Sequence, residues 1–158
     1  MKTLIIAILF STVIGQASAQ TAASWDLNEG TAATATAAGI GTGGVTYTNT
    51  YYQFAMVAAS GYSLDLNSVT ITARHSGSLN WSLRSSLDGY TKDLTTGTLT
   101  GSSEVITAAL PVEFRSVTGI VRFRIYVNGQ EMATGVNNRP IHSISVAGEA
   151  VTGMLATR

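Results

Sequence analysis

Residues 120–127 read Ile-Val-Arg-Phe-Arg-Ile-Tyr-Val, so Val121, Phe123, Ile125 and Val127 alternate with Arg122, Arg124 and Tyr126. Successive side chains of a strand point to opposite faces, which gives this octet one apolar and one polar side; a helix would scatter both sets around its axis. The same period of two recurs along the chain. Tyr52, Phe54 and Met56 share one side of 52–57, Val69, Ile71 and Ala73 alternate with Thr70 and Thr72, and in 80–86 Trp81 and Leu83 alternate with Ser82 and Arg84. Further short runs rich in strand-forming residues cover 24–27, 45–48, 63–66, 96–100, 104–108 and 141–146. From Gln20 onward no window of eleven or more residues places apolar side chains at i, i+3, i+4 and i+7, the pattern an amphipathic helix requires. About ten short strands separated by turn residues predict an all-β chain, folded as an antiparallel two-sheet β-sandwich.

Turn chemistry supports that spacing. Asp88-Gly89 and Asn128-Gly129 each follow a predicted strand, and glycine there accepts the positive φ that tight turns demand. Pro111 cannot donate to a ladder and ends a strand near Leu110, leaving 112–117 as a loop or a single helical turn. The low-complexity stretch Gly30–Gly44 reads as either an extended edge or a mobile loop. The strand faces assign Trp25, Tyr52, Phe54, Trp81 and Phe123 to the core, and Tyr51, Tyr62, Tyr90 and Tyr126 to rims or surfaces.

The first residues follow a different logic. Lys2, the apolar run Leu4–Gly15 and the small residues Ala17-Ser18-Ala19 have the layout of a secretory signal peptide cleaved after Ala19. About a dozen apolar residues fall short of the roughly 20 that cross a bilayer. The expected organisation is therefore a signal at 1–19, a β-sandwich at 20–150 and a tail at 151–158, giving a secreted or cell-surface protein with no later membrane span. Nine basic against nine acidic residues leave no excess of Lys and Arg for a nucleic-acid backbone. The absence of cysteine removes disulfides, thiolate metal sites and cysteine nucleophiles.

Catalytic patterns are sparse. No Gly-x-Ser-x-Gly occurs, and the two histidines, His75 and His142, lack the spacing of a zinc site. The carboxylates mostly stand beside Gly, Asn or Ser, where turn capping explains them. The expectation is a protein that is not an enzyme and carries no cofactor. Asp88 with Asp93, and Asp65 with Asn67, are the oxygens a structural calcium could draw on, without forming a dedicated calcium loop. For recognition, the polar stripe Arg122, Arg124 and Tyr126, joined by Arg84 from another strand and by the turn-flanking Tyr90, fits an anionic polysaccharide. The same stripe also fits an ordinary solvated sheet face with cross-strand carboxylate partners.

Four successive segments carry a resemblance: Tyr51-Tyr52-Gln53-Phe54, Ala59-Ser60-Gly61-Tyr62-Ser63-Leu64, Val69 to Ser76, and Trp81-Ser82-Leu83-Arg84-Ser85-Ser86-Leu87-Asp88-Gly89-Tyr90. With Val121–Tyr126 and Ile141–Gly148 they resemble, over nearly the whole chain after residue 19, the uncharacterised jelly-roll-like β-sandwich modules of bacterial proteins with PEP-CTERM-type or Por-type sorting. The resemblance implies a jelly-roll-like sandwich displayed outside the cell, and its motifs are structural rather than catalytic. Such modules continue into a sorting segment that is not found before Arg158, so the expectation is a truncated chain or a freely released domain. They also carry Asp-Asn where this chain has His142-Ser143, which removes two oxygen ligands. Ile141, Ile144 and Val146 break strict alternation around that pair and predict a bulge. Taken together, these features predict an adhesion or carbohydrate-binding module, its partner an extracellular polysaccharide or a neighbouring surface protein. The alternative is a structural subunit of an extracellular matrix or filament, with 30–44 acting as a strand or arm for a neighbour.

Overall fold

A computed structural model of the chain describes residues 20–152 apart from positions 29, 31, 36–37, 49, 75–76, 102 and 129–139. The expected export segment 1–19, His75, the Gly129 half of the second turn and residues 153–158 lie outside the described residues. The strands are β1 (Thr21–Asp26), β2 (Ala33–Ala35), β3 (Ile40–Thr42), β4 (Thr46–Tyr47), β5 (Tyr51–Ala58), β6 (Tyr62–Ala73), β7 (Leu79–Ser85), β8 (Thr95–Leu99), β9 (Glu104–Ala109), β10 (Ile120–Asn128) and β11 (Ile141–Thr152). The first sheet runs β2-β1-β11-β6-β9 and the second β3-β5-β10-β7-β8, with β4 also on β5, and every pairing is antiparallel. Setting aside the short β2, β3 and β4, the long strands alternate between sheets at every step but the β7–β8 hairpin. That winding is a jelly roll. Among the described residues no helix is long and apolar enough to cross a membrane.

Alternation in the sequence becomes alternation in depth. Tyr52, Phe54 and Met56 of β5 and Val121, Phe123, Ile125 and Val127 of β10 all point inward and are buried. They meet Leu64, Leu66, Val69 and Ile71 of β6 and Ile144 and Val146 of β11 from the opposite sheet. Aromatic rings chain across the core: Trp25 lies 5.1 Å from Phe54, Phe54 stacks on Phe123 at 5.2 Å, and Phe123 stacks on Phe114 at 5.5 Å. The Trp25 indole N–H, which burial would otherwise orphan, donates to the Gly43 carbonyl at 2.8 Å.

Two expectations change in the ladders. Residues 63–66 and 69–73, expected as two strands, are one twelve-residue strand, β6, with a bulge at Asn67: Leu66 pairs Gly148 while Ser68 pairs Ala147. The extra residue flips the side-chain phase, so Leu64 and Leu66 face the core before it and Val69, Ile71 and Ala73 after it. Gly148 makes this crossing possible, because a Cβ there would come within 2.9 Å of Leu66 Cα and closer still to the Asp65 carbonyl oxygen. Of the two readings of 30–44, the extended edge holds: β2 and β3 edge the two different sheets and pair within the domain, on β1 and β5. The last strand continues past Val146 to Thr152. Elsewhere the bulge expected at His142 is present, with the register shifting between Ile141 and Ser143, and 112–117 opens with the single turn Val112–Phe114.

Candidate functional site

The outward side of the second sheet carries the polar residues that alternate with its core. Register decides which of them meet. Arg124 on β10 faces Gln53 on β5 and Arg84 on β7, while Tyr126 faces Tyr51 and Ser82, and Ser82 in turn faces Thr96 of β8. Arg124 Nε donates to Gln53 Oε1 at 2.9 Å and its Nη1 to the Tyr126 hydroxyl at 3.3 Å. Its guanidinium carbon lies 4.4 Å from the centre of the Tyr51 ring and 3.8 Å from that of Tyr90. Arg84 Nε donates to Asp93 Oδ1 at 2.6 Å and its Nη1 to the Tyr90 carbonyl at 3.3 Å, with its guanidinium 5.0 Å from the Tyr126 ring centre. Tyr51 and Tyr126 close the set, their rings 5.4 Å apart and tilted by 60°. Three rings and two guanidinium groups thus hold one another in place.

Tyr90 reaches the cluster from a loop. After β7 the chain makes one 3₁₀ turn, Ser86–Asp88, then passes through the left-handed region at Gly89 (φ 70°) and again at Tyr90 (φ 64°). Glycine adopts that conformation freely, whereas a tyrosine crowds its Cβ against the backbone. Hydrogen bonds hold the loop there: the Tyr90 N–H donates to the Ser85 carbonyl at 2.8 Å, and Asp88 Oδ2 accepts from the Lys92 N–H at 2.9 Å and the Thr91 hydroxyl at 3.2 Å. Partial burial works to raise the Asp88 carboxyl, but the N–H and hydroxyl donors of residues 90–92 outweigh it and hold Asp88 below the ordinary carboxylate value.

Electrostatically the cluster is lopsided. Like charges directly opposite on neighbouring strands destabilise a sheet, yet Arg84 and Arg124 are cross-strand partners. Arg84 is neutralised by Asp93, whose hydrogen bond holds the guanidinium above its ordinary value. Among the described residues Arg124 has only neutral partners, the Tyr126 hydroxyl first among the groups that favour its charged form. Beyond Arg84 the surface continues as a shallow groove of about 300 Å³ whose walls include Asn80, Ser82, Asp93, Thr96 and Thr98, with the Thr98 hydroxyl donating to Asn80 Oδ1 at 2.8 Å.

Of the residues singled out in the sequence, Arg84, Tyr90, Arg124 and Tyr126 come together here. Arg122 does not join them: β7 ends at Ser85, opposite Phe123, so Arg122 has no strand neighbour on that side. Its backbone N–H caps Ser86 Oγ at 2.9 Å while its side chain is exposed. Gln53 and Asp93 were missing from the sequence-based set, and Tyr51, read only as a surface residue, proves to be part of the cluster. The residues considered for calcium are otherwise engaged. Asp65 and Asn67 both accept from Arg115, Asp93 is bound to Arg84, and Asp88 to its own loop. Among the described residues no three His, Asp or Glu side chains are grouped to hold a metal ion. No family model, curated protein or solved structure matches the chain.

Proposed function

We propose that the protein is a secreted, non-catalytic glycan-binding module, and that it binds through the outer face of β5, β10, β7 and β8. The observation that carries this reading is the joining of the Tyr51–Tyr90–Tyr126–Arg84–Arg124 cluster to the hydroxyl- and amide-lined groove at Asn80, Ser82, Thr96 and Thr98. Sugar rings pair apolar C–H faces with dense hydroxyl groups, and a surface that alternates aromatic area with fixed hydrogen-bonding groups suits them. A shallow groove open on the sheet surface suits a polymer lying over it rather than a small molecule in a deep hole. The signal-like start of the sequence and the resemblance to displayed bacterial modules support delivery outside the cell. The non-catalytic reading draws on the carboxylates: glycoside hydrolysis calls for two across a scissile bond, and Asp93, the carboxylate in the cluster, is tied to Arg84.

Affinity electrophoresis of the purified protein through gels containing a panel of neutral and charged polysaccharides tests the proposal. Retardation by at least one polymer is expected, with Tyr126→Ala migrating freely in the same gel. Migration unaffected by every polymer would overturn it.

A further inference from the structure

Resting on that reading, we infer that the glycan is acidic and that Arg124 receives the carboxylate of a uronate residue. Arg124 is a planar fork of five N–H donors, of which Nε is taken by Gln53 and one on Nη1 by Tyr126. Both donors of Nη2 and the second of Nη1 have no partner among the described residues, and one N–H from each of these nitrogens matches the two coplanar oxygens of a carboxylate. The Tyr51 and Tyr90 rings, at 4.4 and 3.8 Å, fix the plane of the guanidinium, so little side-chain freedom is lost on binding.

The charge inventory favours an anion from a second direction. Arg84, Arg122 and Arg124 lie on this side of the sheet with Asp93, while Lys92 and Asp88 of the adjoining loop cancel. Among the described residues two positive charges therefore remain on one face of a chain whose formal charge is zero. An anion seated at Arg124 also relieves the cross-strand opposition of Arg84 and Arg124, which nothing else in the cluster neutralises on the Arg124 side. The neighbouring Asn80, Ser82, Thr96 and Thr98 then take hydroxyl groups of the next sugar units.

The test compares polygalacturonate with its fully methyl-esterified form, with a sulfated galactan and with a neutral xylan, using the purified full-length protein and titration calorimetry at two salt concentrations. Binding to polygalacturonate is expected, weakening at least tenfold on esterification and again on raising the salt. Because the ester comparison is made on the unaltered protein, it does not depend on any variant folding. Arg124→Lys keeps the charge but not the fork and is expected to lose at least tenfold, whereas Arg115→Gln, in the loop that bonds Asp65 and Asn67 of the opposite sheet, is expected to bind as the parent does. Equal binding to the esterified or neutral polymers would overturn the carboxylate assignment while leaving the glycan-binding reading in place. Stronger binding to the sulfated polymer would replace carboxylate recognition by attraction to charge alone. Binding to another polymer but to none of these four would overturn the carboxylate assignment, and binding to no polymer at all would remove the glycan-binding reading itself.

Discussion

The two outer faces of the sandwich rest on equally well-filled inner faces, yet they are built from different materials. Across the first sheet one register row reads Thr34, Ser24, Ser145, Thr70 and Thr107, and the next Asp26, Ser143, Thr72 and Val105. These side chains are short. Thr70 and Thr107 share a hydrogen bond at 3.0 Å, and the ion pair of Arg115 with Asp65 lies near the bulge. Hydroxyl and β-branched residues cover a pleated surface without strain, repulsion or long-range order, which is what a face needs if it only has to separate a core from water. The second sheet instead carries opposed arginines, a tyrosine in a left-handed conformation and three interlocked rings. Ser116, beside the first sheet, is left-handed as well (φ 58°), but the opposed arginines and the interlocked rings belong to the second face alone. In proteins such departures concentrate where something other than stability is being selected.

Neighbouring residues of one strand offer the sharpest way to break that comparison. Phe123 points into the core between Phe54 and Phe114, and Arg124 points out between Tyr51 and Tyr90. Phe123→Ala is expected to cost about 3–5 kcal/mol in denaturant unfolding, the usual range for a buried ring whose cavity cannot collapse. Arg124→Ala is expected to change stability by less than about 1 kcal/mol, since it removes a like-charge opposition together with its contacts. Binding should respond in the reverse order once both variants are compared as folded protein. A stability loss at Arg124 matching that at Phe123 would mean that the outer cluster is structural.

How much of this was visible in the sequence depends on the range over which a pattern acts. Period-two alternation is local, so the inward set of β5, β7 and β10 and the outward positions of Arg84, Arg124 and Tyr126 could be read directly. The phase flip from Leu66 to Val69 is also written in the sequence, but Asp65 and Asn67 look like turn residues, and a bulge within one strand was read as a gap between two. Gln53 escaped because its role depends on β5 pairing with β10, some seventy positions away, and alternation says nothing about partners. Arg122 was included for the same reason in reverse: it shares the stripe with Arg124, but where β7 stops cannot be seen from β10 alone. Tyr90 could be placed beside a turn, while its direction depends on two successive left-handed residues.

Tyr90 allows a finer cut. Replacing it with glycine removes the left-handed crowding, worth about 1–2 kcal/mol, and loses a ring–guanidinium contact worth about 0.5–1 kcal/mol. The expected outcome for Tyr90→Gly is a melting temperature equal to or above that of the parent, accompanied by weaker glycan retention as Arg124 loses one of its two rings. A lower melting temperature would show that the loop conformation is dictated by stability after all, and the contrast between the faces would shrink to composition.

The smallest effect concerns Asp88, which anchors the same loop. Its carboxyl titrates lower in the folded protein than in the unfolded chain, because the charged form accepts the donors of residues 90–92. Unfolding therefore takes up a proton in the interval between the two values, and the contribution of Asp88 is complete above the unfolded value and disappears as pH falls through the folded one. The Tyr90 ring resonances should follow a transition whose midpoint lies below that of an ordinary aspartate. Asp88→Asn keeps one acceptor oxygen but no charge, so its loop should show no such transition. The Thr70–Thr107 pair of the first sheet, which contains no titrating group, should be indifferent throughout. If the Tyr90 signals moved at the pH of an unperturbed carboxylate, the bonds from residues 90–92 would not be holding the loop. The conformation that sets the second face apart would then need another cause.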